Sequence, residues 1–300
     1  MGSGARYRTL GARGLARRAE ALEAFQSPCV LCPRHCGARR DQGEVGFCGI
    51  GTTAVVASWG LHFGEESVLV GQGGSGTVFL AGCNLGCVFC QNSSISHLRQ
   101  GQGTGPDGLA RIMVALQEKG AENINWVTPT HLVPQLVHAL ALAVGRGLTI
   151  PLVYNCGGYE SIEALILLDG IVDIYLPDAK FIDEAVAKRL CNAPDYFARA
   201  CRALRMMYRQ VGGLRCDSRG VATGGVLVRH LVMSSGISGD DGWARALAHL
   251  TDGAGSVNVM GQYRPAYHAD RIAAIGRRPT AGEVDDARQV FLHRGLHLVD

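Results

Sequence analysis

The chain has 300 residues, enough to bury a large core without disulfide support. With 47% hydrophobic and 18% charged residues it is not a disordered chain, and a net charge of +3 is too small to argue for nucleic acid or an anionic membrane surface. No apolar run approaches the roughly 18–20 residues of a membrane span, and residues 1–20 lack the apolar stretch of a secretory signal, which predicts a cytoplasmic location.

In chain order, residues 1–28 read as an Arg/Ala-rich helical extension that docks loosely or frays. Residues 29–76 are rich in Cys and Gly and read as a small metal-stapled subdomain, ending in a strand pair at 54–59 and 67–70. From residue 77 the pattern becomes regular. Strands are predicted at 77–81, 123–128, 150–155, 171–176, 226–233 and 256–262. Helices are predicted at 108–119, 135–144, 161–168, 184–209, 242–250 and 283–292. Pro134 fits the first turn of its helix, where its missing N–H has no partner to lose. Six strand–helix alternations predict a parallel α/β sheet over 77–300. No Gly-rich dinucleotide fingerprint follows the first strand, so a partial, TIM-like (β/α)6 barrel is favoured over a doubly wound sheet. Its functional residues would sit at the C-terminal ends of the strands.

Eleven cysteines are present, seven of them in two tight clusters. A secreted disulfide scaffold would be shorter and more evenly spaced, so these clusters read as metal or iron–sulfur ligands. Directly after the first barrel strand the chain reads Cys83-Asn84-Leu85-Gly86-Cys87-Val88-Phe89-Cys90, a CxxxCxxC loop. Three thiolates cannot close a tetrahedral zinc site unaided, but they can hold three irons of a [4Fe–4S] cube and leave the fourth open to a small molecule. The bland alternative is a zinc knuckle that borrows a distant ligand. Upstream, Cys29, Cys32, Cys36 and Cys48 supply four sulfurs, enough to close either a structural Zn²⁺ site or an auxiliary [4Fe–4S] cluster. Arg34, Arg39 and Arg40 beside them read as a solvated face or a dock for an acidic electron donor.

These residues resemble the radical S-adenosylmethionine (SAM) superfamily, whose members carry this cysteine spacing, with an aromatic at the place of Phe89, after the first barrel strand. Longer stretches (CVLCPRHC…GEVGFCG, SWGLHFGEE, SGTVFLAGCNLGCVFCQN, NINWVTPTH, YNCGGYE, DIYLPDAKF, VRHLVM and MGQYRP) resemble pyruvate-formate-lyase-activating-enzyme-like proteins of the PflX type. The resemblance implies a [4Fe–4S] cluster on Cys83, Cys87 and Cys90. It also implies reductive cleavage of SAM to methionine and a 5′-deoxyadenosyl radical that abstracts hydrogen from a substrate. Phe89 would pack near the adenine. The superfamily's GGE segment is absent; the stretch from Asn125 to His131 takes its place, with Asn125, Thr128 and the backbone there as contacts for SAM and its methionine ammonium. Asn155 would meet ribose or carboxylate. Asp178 and Lys180 resemble the activating enzymes' DxK pair, with Lys180 on the SAM carboxylate; a solvated loop ion pair is the alternative. The chain has only three lysines, so one at this rim is notable.

Arg229 interrupts an apolar strand and needs an anionic partner, either SAM or substrate, or else a structural carboxylate. His230 should face the other way by strand alternation. His62 with Glu65, and Gln262, Tyr263 and Arg264 at the last strand's end, are candidates for the substrate side. Cys156 sits at a strand rim. The substrate is expected to be a small molecule such as a sugar, nucleoside or natural-product intermediate. The competing readings are a glycyl-radical enzyme as protein partner, or a non-catalytic iron–sulfur or zinc protein. A low-potential donor such as flavodoxin or ferredoxin would supply the electron.

Overall fold

A computed structural model describes residues 4–300; residues 1–3 of the predicted extension lie outside the described residues. One sheet organises the chain. Its strands are β1 (Ala54–His62), β2 (Ser75–Leu80), β3 (Gln102–Thr104), β4 (Asn123–Val127), β5 (Leu152–Cys156), β6 (Ile174–Ala179), β7 (Arg215–Cys216), β8 (Ala222–Leu231), β9 (Ser256–Met260) and β10 (His297–Leu298). The order is β10-β9-β8-β6-β5-β4-β2-β1-β3, with β7 added beside β8. Strands β2, β4, β5, β6, β8 and β9 run parallel, each followed by a helical crossover. β1 lies antiparallel to both β2 and β3. The sheet ends in two edges, so the architecture is an unclosed (β/α)6 barrel, the fold class the alternation predicts.

The helices are α1 (Tyr7–Glu23), α2 (Ser67–Val70), α3 (Ser93–Ser96), α4 (Pro106–Glu118), α5 (Val133–Gly145), α6 (Ile162–Leu167), α7 (Glu184–Cys191), α8 (Tyr196–Val211), α9 (Asp240–Leu250) and α10 (Ala281–His293). Pro106 and Pro134 both sit in the first turn of their helices. Ser161 caps α6, and Thr280 with Glu283 forms a capping box on α10. None of the helices is long and apolar enough to cross a membrane among the described residues.

Three expectations are corrected. First, the N-terminal helix does not fray: Tyr7, Leu15 and Leu22 of α1 are fully buried, and the helix packs along α5. The Tyr7 hydroxyl donates to the Ile150 carbonyl at 2.7 Å, and the Arg6 N–H to Asp173 Oδ1 at 2.7 Å. Second, residues 67–70 are not a strand. They form the one-turn helix α2, whose Leu69 plugs the lumen against Val153, Ile174, Leu176 and Leu227. Third, the helix predicted over 184–209 is two helices. Asn192 takes a left-handed conformation that stops α7 before α8 begins.

Candidate active site

β2 ends at Leu80, and Gly82 turns the chain into the cysteine loop with φ +80°. A Cβ there would meet Ile50 Cγ1 at 2.5 Å and the Cys48 carbonyl at 2.8 Å, so the turn admits only glycine. The loop is strapped from several sides. Gly86 N–H donates to the Cys191 carbonyl (3.1 Å), Val88 N–H to Leu190 (2.9 Å) and His268 N–H to Val88 (2.9 Å). His97 Nε2 lies 3.0 Å from the Cys87 carbonyl.

Cys83, Cys87 and Cys90 line a cavity of about 420 Å³ at the C-terminal ends of the parallel strands. Burial pushes the Cys83 thiol up to about 12, with Cys87 adding to it. The Cys87 thiol is also raised, first by a hydrogen bond with Cys191 and then by burial. Burial also raises Cys90, whose Sγ lies 3.1 Å from Ser96 Oγ. Three sulfurs lining one wall suit the corners of an iron–sulfur cube. Among the described residues no group of three or more His, Cys, Asp or Glu side chains is arranged to hold a metal ion.

Across the cavity, Lys180 Nζ donates to Asp178 Oδ2 at 2.6 Å, both side chains largely buried. Burial opposes the Lys180 charge, but Asp178 and the cysteines outweigh it and hold the amine protonated. β6 runs to Ala179, three residues beyond the predicted end, so Asp178 lies within the strand and its side chain faces the lumen. The Tyr196 hydroxyl lies 2.7 Å from the Asp178 carbonyl and accepts from the Lys180 N–H at 3.2 Å. Thr128, beyond β4, also lines the cavity and holds φ +63°, a costly conformation for a β-branched residue. Asn155 lines it from β5, as does Phe89, whose ring meets Phe181 and Tyr263 edge-on. Cys156 is a buried lining residue, its thiol raised by burial and by Glu160.

The floor is built by the loop after β1, which crosses the unclosed side of the barrel. Arg229 Nε lies 3.2 Å from Glu66 Oε1, and Nη1 lies 3.6 Å from Glu65 Oε2. Asn258 Nδ2 donates to the same Glu66 oxygen at 2.9 Å, and Arg229 Nη1 reaches Asn155 Oδ1 at 3.5 Å. Arg229 thus has the structural carboxylate partners that its strand position calls for, and it also lines the cavity. His62 Nδ1 stands 3.7 Å from Glu65 Oε1, and both residues line the cavity together with Gln262. Burial raises the Glu65 carboxyl.

Three other candidates fall outside the cavity. Asn125 shares the lumen face with Val127 but lies one strand repeat deeper, where it donates to Ser75 Oγ at 3.3 Å. Tyr263 is core, its hydroxyl donating to the Ile275 carbonyl at 2.7 Å. Arg264 is exposed. His230 faces away as expected, between the Ala179 carbonyl (2.8 Å) and Asp240 Oδ1 (2.7 Å).

Sequence reasoning did not find Cys191, which touches Cys87, or the buried Glu160, which accepts from Thr130 (2.7 Å) and Tyr154 (2.9 Å). Neither carries a local signal: Cys191 is one of four scattered cysteines, and Glu160 follows a loop. A second hollow of about 430 Å³ opens beside α9 and α10, near Gly239, Arg245 and Asp286, and no strand-end residue reaches it.

The segment carrying the four upstream cysteines lies against the Cys83/Cys87/Cys90 loop, through Cys48 beside Gly82 and Arg34 on the Asn84 carbonyl. Cys29, Cys32 and Cys48 are buried, and Cys36 is exposed. Cys29 and Cys36 share a hydrogen bond, and burial pushes the Cys32 thiol up to about 12.

Residues 77–217 match the sequence pattern described as the Radical SAM superfamily. The uncharacterized protein MJ0674 of Methanocaldococcus jannaschii is 31% identical over 282 residues, covering 90% of this chain and 76% of that protein. Among solved structures, Streptococcus suis SuiB bound to precursor peptide SuiA aligns with a TM-score of 0.49 and 8% identity over 72% of this chain and 46% of SuiB. A radical SAM methyltransferase from Sphaerobacter thermophilus aligns with a TM-score of 0.46 and 15% identity, over 74% of this chain and 65% of that one. The chain thus spans about half the length of SuiB.

Proposed function

The chain belongs to the radical SAM superfamily, and from that premise we propose that Cys83, Cys87 and Cys90 hold its [4Fe–4S] cluster and that the substrate is a small polar molecule. Membership makes the protein an enzyme that uses [4Fe–4S] and SAM, which closes the non-catalytic alternative. When bound, these cofactors supply reductive cleavage of the sulfonium to methionine and a 5′-deoxyadenosyl radical that abstracts hydrogen.

The chain's own residues do the positioning. Lys180, held protonated and oriented by Asp178, is placed to take the SAM carboxylate. Asn155 and Thr128 line the cavity, and we assign them to the ribose and ammonium groups. Phe89 gives an apolar edge to the adenine, and the β1 loop closes the barrel side against water. The observation that carries the substrate reading is the floor. Glu65 Oε2 and His62 Nδ1 are buried atoms without a hydrogen-bond partner on residues that line the cavity. Such atoms favour a ligand bearing hydroxyl or amino groups over an apolar one. A low-potential one-electron donor completes the system.

The test is uncoupled turnover against a panel. Reconstituted, dithionite-reduced enzyme with SAM is offered polyols, nucleosides and amines, and deuterium transfer into 5′-deoxyadenosine is read by mass spectrometry. Transfer from a small polar molecule supports the reading. Transfer only from a glycine of a partner protein would replace it with the activase reading.

A further inference from the structure

We propose that Cys29, Cys32, Cys36 and Cys48 form a second iron–sulfur site, with Arg40 as its built-in counter-ion, that hands electrons to the Cys83/Cys87/Cys90 loop it touches. The proposal rests on the radical SAM reading only for the identity of that neighbouring loop.

The first observation is a charge without an obvious partner. Arg40 is 3% exposed, yet no carboxylate lies within ion-pair distance of it among the described residues. Its Nη1 donates to the His131 carbonyl at 2.8 Å, its Nη2 to Cys48 Sγ at 3.3 Å, and its Nε is buried without a partner. Its other charged-side neighbour, His131, is buried and held neutral, its pKa lowered to about 4 by burial. Burying a lone guanidinium costs several kcal/mol by general experience of buried charges. Four thiolates around a metal, zinc or an iron–sulfur cube alike, carry net negative charge and supply the missing anion. Four neutral thiols do not.

The second observation concerns the shape of the set. Gly46 is moulded to Cys36, since a Cβ there would fall 2.3 Å from Cys36 Sγ. The thiols feel one another in pairs, Cys29 with Cys36 and Cys32 with Cys29 and Cys48, so the four sulfurs are neighbours; the choice of iron over zinc rests on the contact described next.

The third observation is contact between the two cysteine sets. The Cys48 carbonyl lies 2.8 Å from the position of a Gly82 Cβ, and Gly82 precedes Cys83 in the chain. Arg34, between Cys32 and Cys36, donates from Nε to the carbonyl of Asn84 inside the catalytic loop at 2.8 Å. It also reaches the carbonyls of Cys191 and Asn192, and its guanidinium stacks 3.9 Å over Phe47. Phe47 in turn abuts Gly86, 3.2 Å from where a Cβ would stand. The two loops therefore share a wall with no intervening layer. A transfer across it moves one electron: an external low-potential donor is oxidised by one electron, the upstream site is reduced and then reoxidised, and the catalytic site gains the electron. No bond or proton changes.

The test uses the full chain with Cys83, Cys87 and Cys90 all changed to Ala, reconstituted anaerobically, with circular dichroism confirming the fold. About four irons per chain and a dithionite-reducible electron paramagnetic resonance signal are expected. Stoichiometric zinc, or no metal, overturns the proposal. Because this variant lacks the catalytic loop, its outcome is independent of whether the wild type cleaves SAM. In the reduced wild type, the spectrum should show magnetic interaction between two centres. A spectrum equal to the sum of those of the two single-site variants overturns the hand-off. Arg40→Gln should shift the upstream site's midpoint potential to more negative values, with Arg40→Lys restoring most of it. An unchanged potential in Arg40→Gln removes the counter-ion role.

Discussion

Arg229 and Glu66 meet in the barrel lumen at 3.2 Å, joining β8 to the loop that follows β1. The pair closes a gap that the sheet leaves open between its first and last strands. Glu65 takes the same guanidinium at 3.6 Å, so one cation serves two carboxylates. Glu66→Gln should therefore be tolerated better than Arg229→Met, which leaves both acids facing each other. Removing one partner of a buried pair costs about 3–5 kcal/mol. Urea denaturation at constant slope should show a loss of that order for Arg229→Met. A change under about 0.5 kcal/mol would show that the pair contributes nothing to closing the barrel.

Glu160 makes stability depend on pH. Burial raises its pKa from 4.5 to about 7, against the pull of Thr130 and Tyr154. The folded state keeps this proton where the unfolded state has lost it, so the contribution to stability falls as pH rises from 4.5 to about 7 and is level above. The size is on the order of 3 kcal/mol. His131, its pKa lowered to about 4, has the opposite slope between 4 and 6.5. The readout is therefore the difference between wild type and Glu160→Gln. That difference should move in favour of the variant across pH 4.5–7, and a flat difference contradicts the burial argument.

The proposed role of Lys180 is to hold the carboxylate of SAM. Lys180→Met should weaken SAM binding by roughly ten- to a hundredfold, the worth of a charge-assisted hydrogen bond. Asp178→Asn should weaken it less, since it frees the amine without removing it. Equilibrium dialysis with iron-loaded protein measures both. Unchanged affinity in Lys180→Met would leave the Asp178–Lys180 contact as a structural ion pair.

Much of this was legible in the sequence because the signals are local. Six alternations specify the parallel strands, and the CxxxCxxC loop follows the first of them directly. The DxK pair stands out in a chain with three lysines. Residues 67–70 were misleading for a physical reason: a four-residue run rich in Val and Leu has no period that separates a strand from a buried turn of helix. The partners of Arg229 lie more than 160 positions away, so its strand shows the need for an anion but not which one. Asn125 failed on depth, since alternation gives the face of a strand but not the level of the cavity floor. The docking of α1 depends on α5 and Asp173, which no property of residues 7–23 foretells.

The most direct test of the account is SAM cleavage by the three-cysteine loop. Protein reconstituted with iron and sulfide, reduced with dithionite and given SAM should release 5′-deoxyadenosine and methionine, and Cys87→Ala should release neither. No 5′-deoxyadenosine from iron-replete wild type, or equal amounts from Cys87→Ala, would contradict it.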